Sequence, residues 1–220
     1  MITGATRGIG AAVAEAVRER GHEPVLAGRS AEDLKRRAER LGGARTVLVD
    51  LGEPHRIADK LADIDVPSLD GVVHSAGVVD LGPVAALSVE AWTSQMMVNV
   101  VAAAELTRVL MPRLRAARGH VVFINSGSGL RAGPGWSAYA ASKHALRALA
   151  DSLRAEEPQL RVTSVYPGRT ATDMQRKVRA QEGGSYRPES YIEARTVAHV
   201  VVQALETPPD AVITDVSVRR

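Results

Sequence analysis

The fold is decided by the stretch Thr3-Gly4-Ala5-Thr6-Arg7-Gly8-Ile9-Gly10, which lies near the start of the 220-residue chain. Its three glycines precede a helical pattern over about Ile9–Arg20. Glycines allow a tight turn whose backbone can approach a pyrophosphate, and the start of the following helix presents free N–H groups to that anion. A glycine triplet alone also fits an ordinary turn or helix cap, so the rest of the chain must distinguish these interpretations.

Beyond this loop, short runs rich in Val and Ile alternate with longer helical patterns. The runs predict strands at Pro24–Ala27, Thr46–Val49, Gly71–His74, Val121–Asn125, Val162–Tyr166 and Ala211–Val216. The helical patterns cover Ile9–Arg20, Ala31–Arg40, Pro54–Leu61, Val89–Ala117, Ala138–Glu156 and Ala194–Leu205. Nearly continuous apolar strands separated by helices predict an α/β fold, with a doubly wound parallel sheet of about seven strands and helices on both faces in three layers.

The chain predicts a single nucleotide-binding domain over residues 1–220, because no repeat and no long linker divides it. Only Met1 and Ile2 precede the glycine loop, whereas strands usually run about 5 residues. We therefore expect a truncated first strand, or residues missing before Met1. The stretch over 173–191 is rich in Gly, Ser and Pro, and we expect a mobile loop there that covers the substrate.

The composition excludes several classes of protein. With no Cys, 45% hydrophobic and 24% charged residues, the chain is neither disordered nor a disulfide scaffold. Its longest mostly apolar stretch, Met96–Ala104, is far shorter than the ~20 residues of a membrane span, and no leader is recognisable. The net charge of +3 is scattered, and two Trp, four Tyr and one Phe are too few for base stacking. We expect a cytoplasmic protein without membrane or nucleic-acid partners.

The end of the second predicted strand reads Leu26-Ala27-Gly28-Arg29-Ser30. An acid at this place would accept hydrogen bonds from the ribose hydroxyls of NAD, but none is present. The guanidinium of Arg29 instead suits the 2′-phosphate of NADP, and Arg7 could approach the same phosphate from the glycine loop. Asp50, after the third strand, could accept from the adenine amino group. The alternative is that both arginines are solvated and that Asp50 forms a turn or cap.

Tyr139-Ala140-Ala141-Ser142-Lys143 begins a long helical pattern. A spacing of four residues places the phenol and the ammonium on one helix face, where the positive charge would favour phenolate. Free tyrosine titrates near ~10, so it needs such help to exchange protons at neutral pH. A half-buried tyrosine beside a surface lysine is the alternative. None of the six histidines has the spacing of a metal site, and His74 is expected to be buried and hydrogen-bonded.

Together these motifs resemble the short-chain dehydrogenase/reductase family in its compact subtype, and the resemblance covers essentially the whole chain. Its further landmarks are Ser126, thirteen residues before the tyrosine, His74-Ser75-Ala76-Gly77 where the family has Asn-Asn-Ala-Gly, Asn99 in a helix, and Pro167-Gly168-x-x-x-Thr172. The replacement of the two asparagines removes side chains that tie the central strands together in the family. A Rossmann fold is implied by this resemblance.

The resemblance also implies roles for individual residues. Tyr139 would be the general acid or base, Lys143 would lower its pKa and hold the nicotinamide ribose, and Ser126 would polarise the carbonyl. Asn99 would hold, through its backbone, a water linked to Lys143. The implied cofactor-binding residues, together with Tyr139 and Lys143, are Gly4, Thr6, Arg7, Gly8, Ile9, Gly10, Gly28, Arg29, Ser30, Asp50, Leu51, Ser75, Ala76, Gly77, Pro167, Gly168, Thr170 and Thr172.

The substrate side is expected to be shallow, because the lid is short and charged. Its expected lining residues are Gly129, Leu130, Trp136, Met174 and Tyr186. The resemblance implies a homodimer or homotetramer in which the two long helices pair, with Ala102–Ala104 permitting close approach. No metal is expected, and the substrate would be a small carbonyl or alcohol.

The function implied is an NADP(H)-dependent oxidoreductase that transfers hydride between the nicotinamide and a carbonyl or secondary alcohol. Two alternatives stay open: a catalytically weak NADP-binding regulatory or structural protein, and a reductase of 3-oxoacyl thioesters. An epimerase or dehydratase of the extended subtype is not expected, because its larger carboxy-terminal domain has no room here.

Overall fold

A computed structural model describes all 220 residues and contains one seven-stranded parallel sheet, in the order β3-β2-β1-β4-β5-β6-β7. The strands are β1 Ile2–Thr3, β2 Val25–Gly28, β3 Arg45–Leu48, β4 Gly71–His74, β5 His120–Ile124, β6 Arg161–Pro167 and β7 Asp215–Val218. The α-helices are α1 Gly8–Glu19, α2 Ala31–Arg40, α3 Ile57–Leu61, α4 Val89–Met96, α5 Ala102–Ala117, α6 Ser137–Glu156, α7 Asp173–Gln181 and α8 Ala194–Leu205. The predicted doubly wound α/β fold is confirmed.

Each face of the sheet carries its own apolar core. On one face, α3, α5 and α6 contribute side chains such as Leu61, Leu110 and Leu146. On the other face, α1, α2 and α8 contribute side chains such as Val17 and Val201. The central strands are buried on both sides, which explains why their sequences read as continuous apolar runs.

β1 is as short as the sequence predicts, although it lies at the centre of the sheet. It pairs with β2 over two residues and with β4 only through Ile2 and Val73. The hydroxyl of Thr3 accepts hydrogen bonds from the backbone N–H groups of Ser75 (3.0 Å) and Ala76 (3.1 Å). A side chain thereby continues the connection between β1 and the segment after β4 where the backbone ladder stops.

Three predicted elements differ in the structure. The helix predicted over Val89–Ala117 is interrupted by a π-helical turn, Met97–Val101. The last strand is β7, Asp215–Val218, and not Ala211–Val216, because its register with β6 begins at Ser164 and Asp215. The stretch predicted as a mobile loop begins instead with α7, whose N-terminus is capped by the hydroxyl of Thr172, which accepts from the Gln175 N–H at 3.2 Å.

Two of the three alanines expected at an oligomer interface lie in the interior of the subunit. Ala102 and Ala103 are buried, with 0% and 6% of their surface exposed, and they belong to the core beneath the sheet. Their small side chains therefore permit close packing within the subunit. None of the helices is both long enough and apolar enough to pass through a lipid bilayer.

Candidate active site

A cavity of about 770 Å³ runs along the carboxyl ends of the strands, from the glycine loop to α6 and α7. Ligands of open parallel sheets bind at this edge, where the strand order reverses. Here the reversal falls between β1 and β4. The predicted residues that line the cavity are Gly4, Thr6, Arg7, Gly8, Ile9, Gly10, Gly28, Arg29, Asp50, Leu51, Ser75, Ala76, Gly77, Ser126, Trp136, Tyr139, Lys143, Pro167, Gly168, Thr170, Thr172 and Met174.

The glycine loop has a backbone that only glycine accommodates well. Gly4 has a φ of 62° and Gly8 a φ of 57°, both in the left-handed region. A Cβ atom on Gly10 would lie 2.4 Å from the carbonyl oxygen of Gly4, so α1 packs directly against the loop. No side chain caps the start of α1, and its first turn contains no acidic residue. The N–H groups there are available to an anion in the cavity.

The far end of the cavity carries two guanidinium groups, those of Arg7 and Arg29. Both side chains are exposed, and neither takes part in any ion pair. Asp50 also lines this end, and its carboxylate accepts from the N–H of Gly52 at 2.8 Å, which forms the local turn. Ser30 does not line the cavity; its hydroxyl accepts from the N–H of Asp33 and caps α2. Neither arginine is held in an ion pair, so both guanidiniums are available to an anion in the cavity.

Tyr139 and Lys143 occupy successive turns of α6, and both are buried. Burial raises the pKa of Tyr139 to about 12, an effect that a hydrogen bond with Ser126 partly opposes. Burial also lowers the pKa of Lys143 to about 8. Lys143 Nζ donates to the carbonyl oxygen of Ile124 at 2.9 Å and lies 5.8 Å from the centre of the Tyr139 ring. Burial therefore dominates the pKa of Tyr139 here, and the lowering of this pKa by Lys143 stays a prediction.

Asn125 connects the two segments that carry Ser126 and Lys143. Its side-chain oxygen accepts from the Ser126 N–H at 2.8 Å, and its side-chain nitrogen donates to the carbonyl oxygen of Lys143 at 3.1 Å. The Ser126 hydroxyl accepts from the N–H of Ser128 at 3.1 Å, which orients it at the cavity wall. Sequence reasoning missed Asn125, because it reads as the last residue of an apolar strand.

Asn99 lies in the π-helical turn, where it is buried and does not line the cavity. Its side-chain oxygen accepts from the Val78 N–H at 2.8 Å. Its side-chain nitrogen donates to the Val78 carbonyl oxygen and to the Ser142 hydroxyl, each at 3.0 Å. The asparagine side chain thus connects the segment after β4 to α6, beside Lys143.

His74 is buried and hydrogen-bonded, as the sequence predicts. Its Nε2 lies 2.9 Å from the Thr107 hydroxyl, and its ring stacks on Phe123 with centroids 4.9 Å apart. Burial lowers the pKa of His74 to about 3, so the ring is neutral at neutral pH. The histidine fills space between β4 and α5 and does not line the cavity.

The structure places only two of the five expected substrate-side residues, Trp136 and Met174, at the cavity. Gly129 is buried beneath the wall, where a Cβ atom would lie 2.2 Å from the side-chain oxygen of Asn125. Leu130 is exposed outside the cavity. Tyr186 stacks on Tyr191 at 5.6 Å, also outside it. Gly129 thus packs into the interior against Asn125, and Tyr186 packs against Tyr191 and not at the cavity.

Four basic residues line the substrate end of the cavity: Arg131, Arg169, Lys177 and Arg219. Lys177 pairs with Asp80 at 2.5 Å, and Arg169 forms two hydrogen bonds with Glu182 at 2.6 and 2.8 Å. Sequence reasoning missed Arg131, Arg169 and Arg219, since nothing local marks them. For Arg219 only the register of β7 could have indicated the position.

Comparisons with known proteins agree on the family. A family model described as short chain dehydrogenase matches residues 1–183. The dehydrogenase/reductase SDR family member 7B of Bos taurus is 34% identical over 201 residues, which are 84% of this chain and 62% of that protein. An uncharacterized oxidoreductase of Staphylococcus epidermidis is 31% identical over 225 residues, covering 100% of this chain and 95% of that protein.

Among solved structures, a short chain dehydrogenase from Escherichia coli CFT073 complexed with NADPH has a TM-score of 0.89 and 27% identity. The likeness covers 98% of this chain and 94% of that chain. The matched residues include the glycine loop and the segment from Ser126 to Lys143. The chain therefore belongs to the short-chain dehydrogenase/reductase family.

Proposed function

We propose that this protein is an NADP(H)-dependent oxidoreductase that interconverts a carbonyl compound and a secondary alcohol. The observation that carries the proposal is the position of Ser126, Tyr139 and Lys143 in one cavity that also contains the free start of α1. A hydroxyl pair beside an anion-binding helix start supplies a proton and a hydrogen bond next to a bound dinucleotide. A regulator that only bound the cofactor would not need this arrangement.

The residues of the cavity fit a nicotinamide dinucleotide. The glycine loop and the start of α1 would hold the pyrophosphate. Gly4, Gly8 and Gly10 have no side chain, so the backbone of the loop can lie close to this group. Asp50 and the segment Ser75–Gly77 would contact the adenosine, while Thr172 would contact the carboxamide. When bound, the nicotinamide supplies or accepts the hydride.

NADP is the preferred form in this proposal. Arg7 and Arg29 are exposed at the adenosine end and lack ion-pair partners, so both guanidiniums can meet a 2′-phosphate. No acidic side chain follows β2, where an NAD-specific site would have one. The relative from Escherichia coli that binds NADPH supports the same preference.

The side chains of this protein would carry out the proton transfer. A pKa of about 12 keeps the Tyr139 hydroxyl protonated at neutral pH, so it can donate its proton to a carbonyl oxygen. Ser126 would donate a hydrogen bond to the same oxygen. Lys143 is charged below pH 8 or so, and its charge would favour the phenolate that the transfer leaves. Asn99 and Asn125 would position these residues.

We further propose that the protein is cytoplasmic and forms a homo-oligomer.

The decisive experiment is the variant Tyr139→Phe, assayed by NADPH absorbance with a panel of ketones, aldehydes, quinones and acyl thioesters. Removal of the general acid should lower kcat by about 10²–10⁴-fold. NADPH binding, measured by its fluorescence, should be unchanged, because the phenyl ring keeps the packing against Trp136 (ring centroids 5.8 Å apart).

Tyr191→Phe is the matched control, because Tyr191 lies outside the cavity and should leave kcat unchanged. If Tyr139→Phe keeps full activity, the assignment of the general acid is wrong. If the wild-type protein binds NADPH but reduces no member of the panel, the regulatory interpretation gains support.

A further inference from the structure

We propose that the substrate is an oxo or hydroxy acid, and that Arg131 and Arg219 bind its carboxylate beside Ser126. This inference rests on the proposed function and adds the substrate class to it. Neither arginine belongs to the motifs by which the chain resembles its family. Both line the cavity, and neither is paired with an acid.

Arg219 reaches the reaction site because of the register of β7. Val218 pairs with Pro167 at the carboxyl end of β6, so Arg219 is the first residue beyond the sheet edge. A Cβ atom on Gly127 would lie 3.0 Å from Nη1 of Arg219, so the guanidinium lies against the backbone next to Ser126. A side chain at Gly127 would displace it.

Arg131 lies in the turn that follows Gly127. Its backbone N–H donates to the carbonyl oxygen of Gly127 at 3.1 Å, one turn after Ser126. Both arginines are exposed at the cavity wall. Arg131 thus starts one turn from Gly127 and lines the same cavity as Arg219, so a small anion in the cavity beside Gly127 would be within reach of both side chains.

The charge of these two arginines is uncompensated, unlike that of their neighbours. Lys177 is paired with Asp80, and Arg169 with Glu182. Arg131 and Arg219 take part in no ion pair. The one acid at this end of the cavity, Asp173, lies 3.9 Å from Arg176. An incoming anion would thus meet attraction from both arginines and little repulsion.

The geometry also limits the size of the acid. Neighbouring Cα atoms are about 3.8 Å apart, so a group held beside Gly127 is close to the Ser126 hydroxyl. The reacting carbonyl must contact that hydroxyl, so only a few bonds can separate the carbonyl carbon of the substrate from its carboxylate. A planar carboxylate matches the fork of a guanidinium, which can donate two parallel hydrogen bonds. Neutral ketones would leave both arginines hydrated and without a role.

The test compares acids with their neutral esters. The probes are pyruvate, acetoacetate and levulinate, each paired with its methyl ester, and kcat/KM is measured by NADPH oxidation. The wild-type protein should prefer at least one acid over its ester by about tenfold, as expected for one charge-assisted hydrogen bond. The preference should fall about tenfold in Arg219→Gln and in Arg131→Gln, and should weaken with salt.

Arg40→Gln is the control, because Arg40 is exposed on α2 outside the cavity. Its ratio of acid to ester should equal that of the wild type. If wild-type protein uses every acid and ester equally, or if both cavity variants keep the wild-type ratio, the carboxylate site is disproved. Turnover of the esters would then leave the proposed function standing.

A second measurement does not depend on turnover. The Tyr139→Phe protein is loaded with NADPH, and binding of each acid and ester is followed by calorimetry. Tighter binding of an acid, lost when Arg219→Gln is added, supports the carboxylate site even if no ketone is reduced. Absent turnover would then count against the proposed chemistry alone. Equal binding of acids and esters would overturn the carboxylate site.

Discussion

Arg29 is the residue on which cofactor preference is expected to depend. It follows β2 at the cavity end opposite Ser126, and it is exposed and unpaired. We predict that Arg29→Ala weakens NADPH binding by about tenfold or more, because a charge-assisted hydrogen bond to a 2′-phosphate is lost. The binding of NADH, which lacks this phosphate, should change little. Fluorescence titration with both cofactors measures the two constants.

The control for this prediction is Arg40→Ala, which removes an exposed guanidinium at the end of α2, outside the cavity. It should leave both constants unchanged. An equal loss of NADPH and NADH affinity in Arg29→Ala would contradict phosphate recognition and would indicate a general effect on the adenosine end.

Single residues were predictable from the sequence when their spacing alone sets their geometry. Tyr139 and Lys143 share a face because they are four residues apart in a helix. Asn125 and Arg219 were missed because their contacts come from chain segments that are distant in sequence. Leu130 and Tyr186 were expected at the substrate for the complementary reason: proximity in sequence to Ser126 and to the lid does not determine which way a loop turns.

At the scale of elements, β4 and β5 each carry a buried histidine, and these predict a dependence of stability on pH. Burial lowers the pKa of His74 to about 3 and that of His120 to about 4, from ordinary values near 6.5. At pH values between these lowered pKa values and about 6.5, the two histidines bind protons in the unfolded chain but not in the folded protein. The free energy of unfolding therefore falls as the pH falls from about 6.5 towards 3.

We predict that His74→Asn reduces this dependence. At about pH 4.5 the wild-type histidine should cost roughly 2–3 kcal/mol of stability relative to neutral pH, a cost that asparagine does not have. Urea unfolding at neutral pH and at about pH 4.5 measures the difference. His144→Asn, on the exposed side of α6, is the control and should behave as the wild type. A variant with an unchanged pH dependence would refute a buried neutral His74.

The elements that the sequence did not predict have physical reasons. α7 contains mostly polar residues, with Met174 and Val178 as its main apolar contacts, so its periodicity is weak. The π-helical turn depends on the hydrogen bonds of Asn99 to Val78 and Ser142, which no local pattern encodes. β7 is displaced from its predicted position because pairing with β6, and not its own hydrophobicity, defines it.

At the scale of the whole molecule, three of the seven large apolar side chains that are exposed lie between residues 84 and 101. Val84 is 71% exposed, Val89 75% and Val101 42%. Exposed apolar side chains are stabilised when another subunit buries them. We predict a homo-oligomer whose mass, measured by light scattering, decreases towards that of the monomer in Val101→Lys. Val212→Lys, at a valine that is 39% exposed before β7, should keep the wild-type mass. A monomeric wild-type protein would contradict the prediction.

The order of the layers was accessible from the sequence because alternation of strands and helices leaves few packing solutions. For the lid, the sequence predicted only its position in the chain and not its structure. Its ion pairs, such as Arg169 with Glu182, form between residues whose charges alone give no indication of their partner.

The shortness of β1 has a consequence for how the sheet holds together. The three strands on one side join the four on the other through the register pair of Ile2 with Val73 and through the hydroxyl of Thr3. Met1 adds two hydrogen bonds, one to the carbonyl oxygen of Gly71 and one from the N–H of Val73. The seam between these halves runs directly beneath the cavity, whose wall takes Gly4 and Arg29 from one half and Ser126 and Lys143 from the other. A dinucleotide bound across this boundary would contact both halves of the sheet. Its binding would therefore stabilise their association and raise the free energy of unfolding.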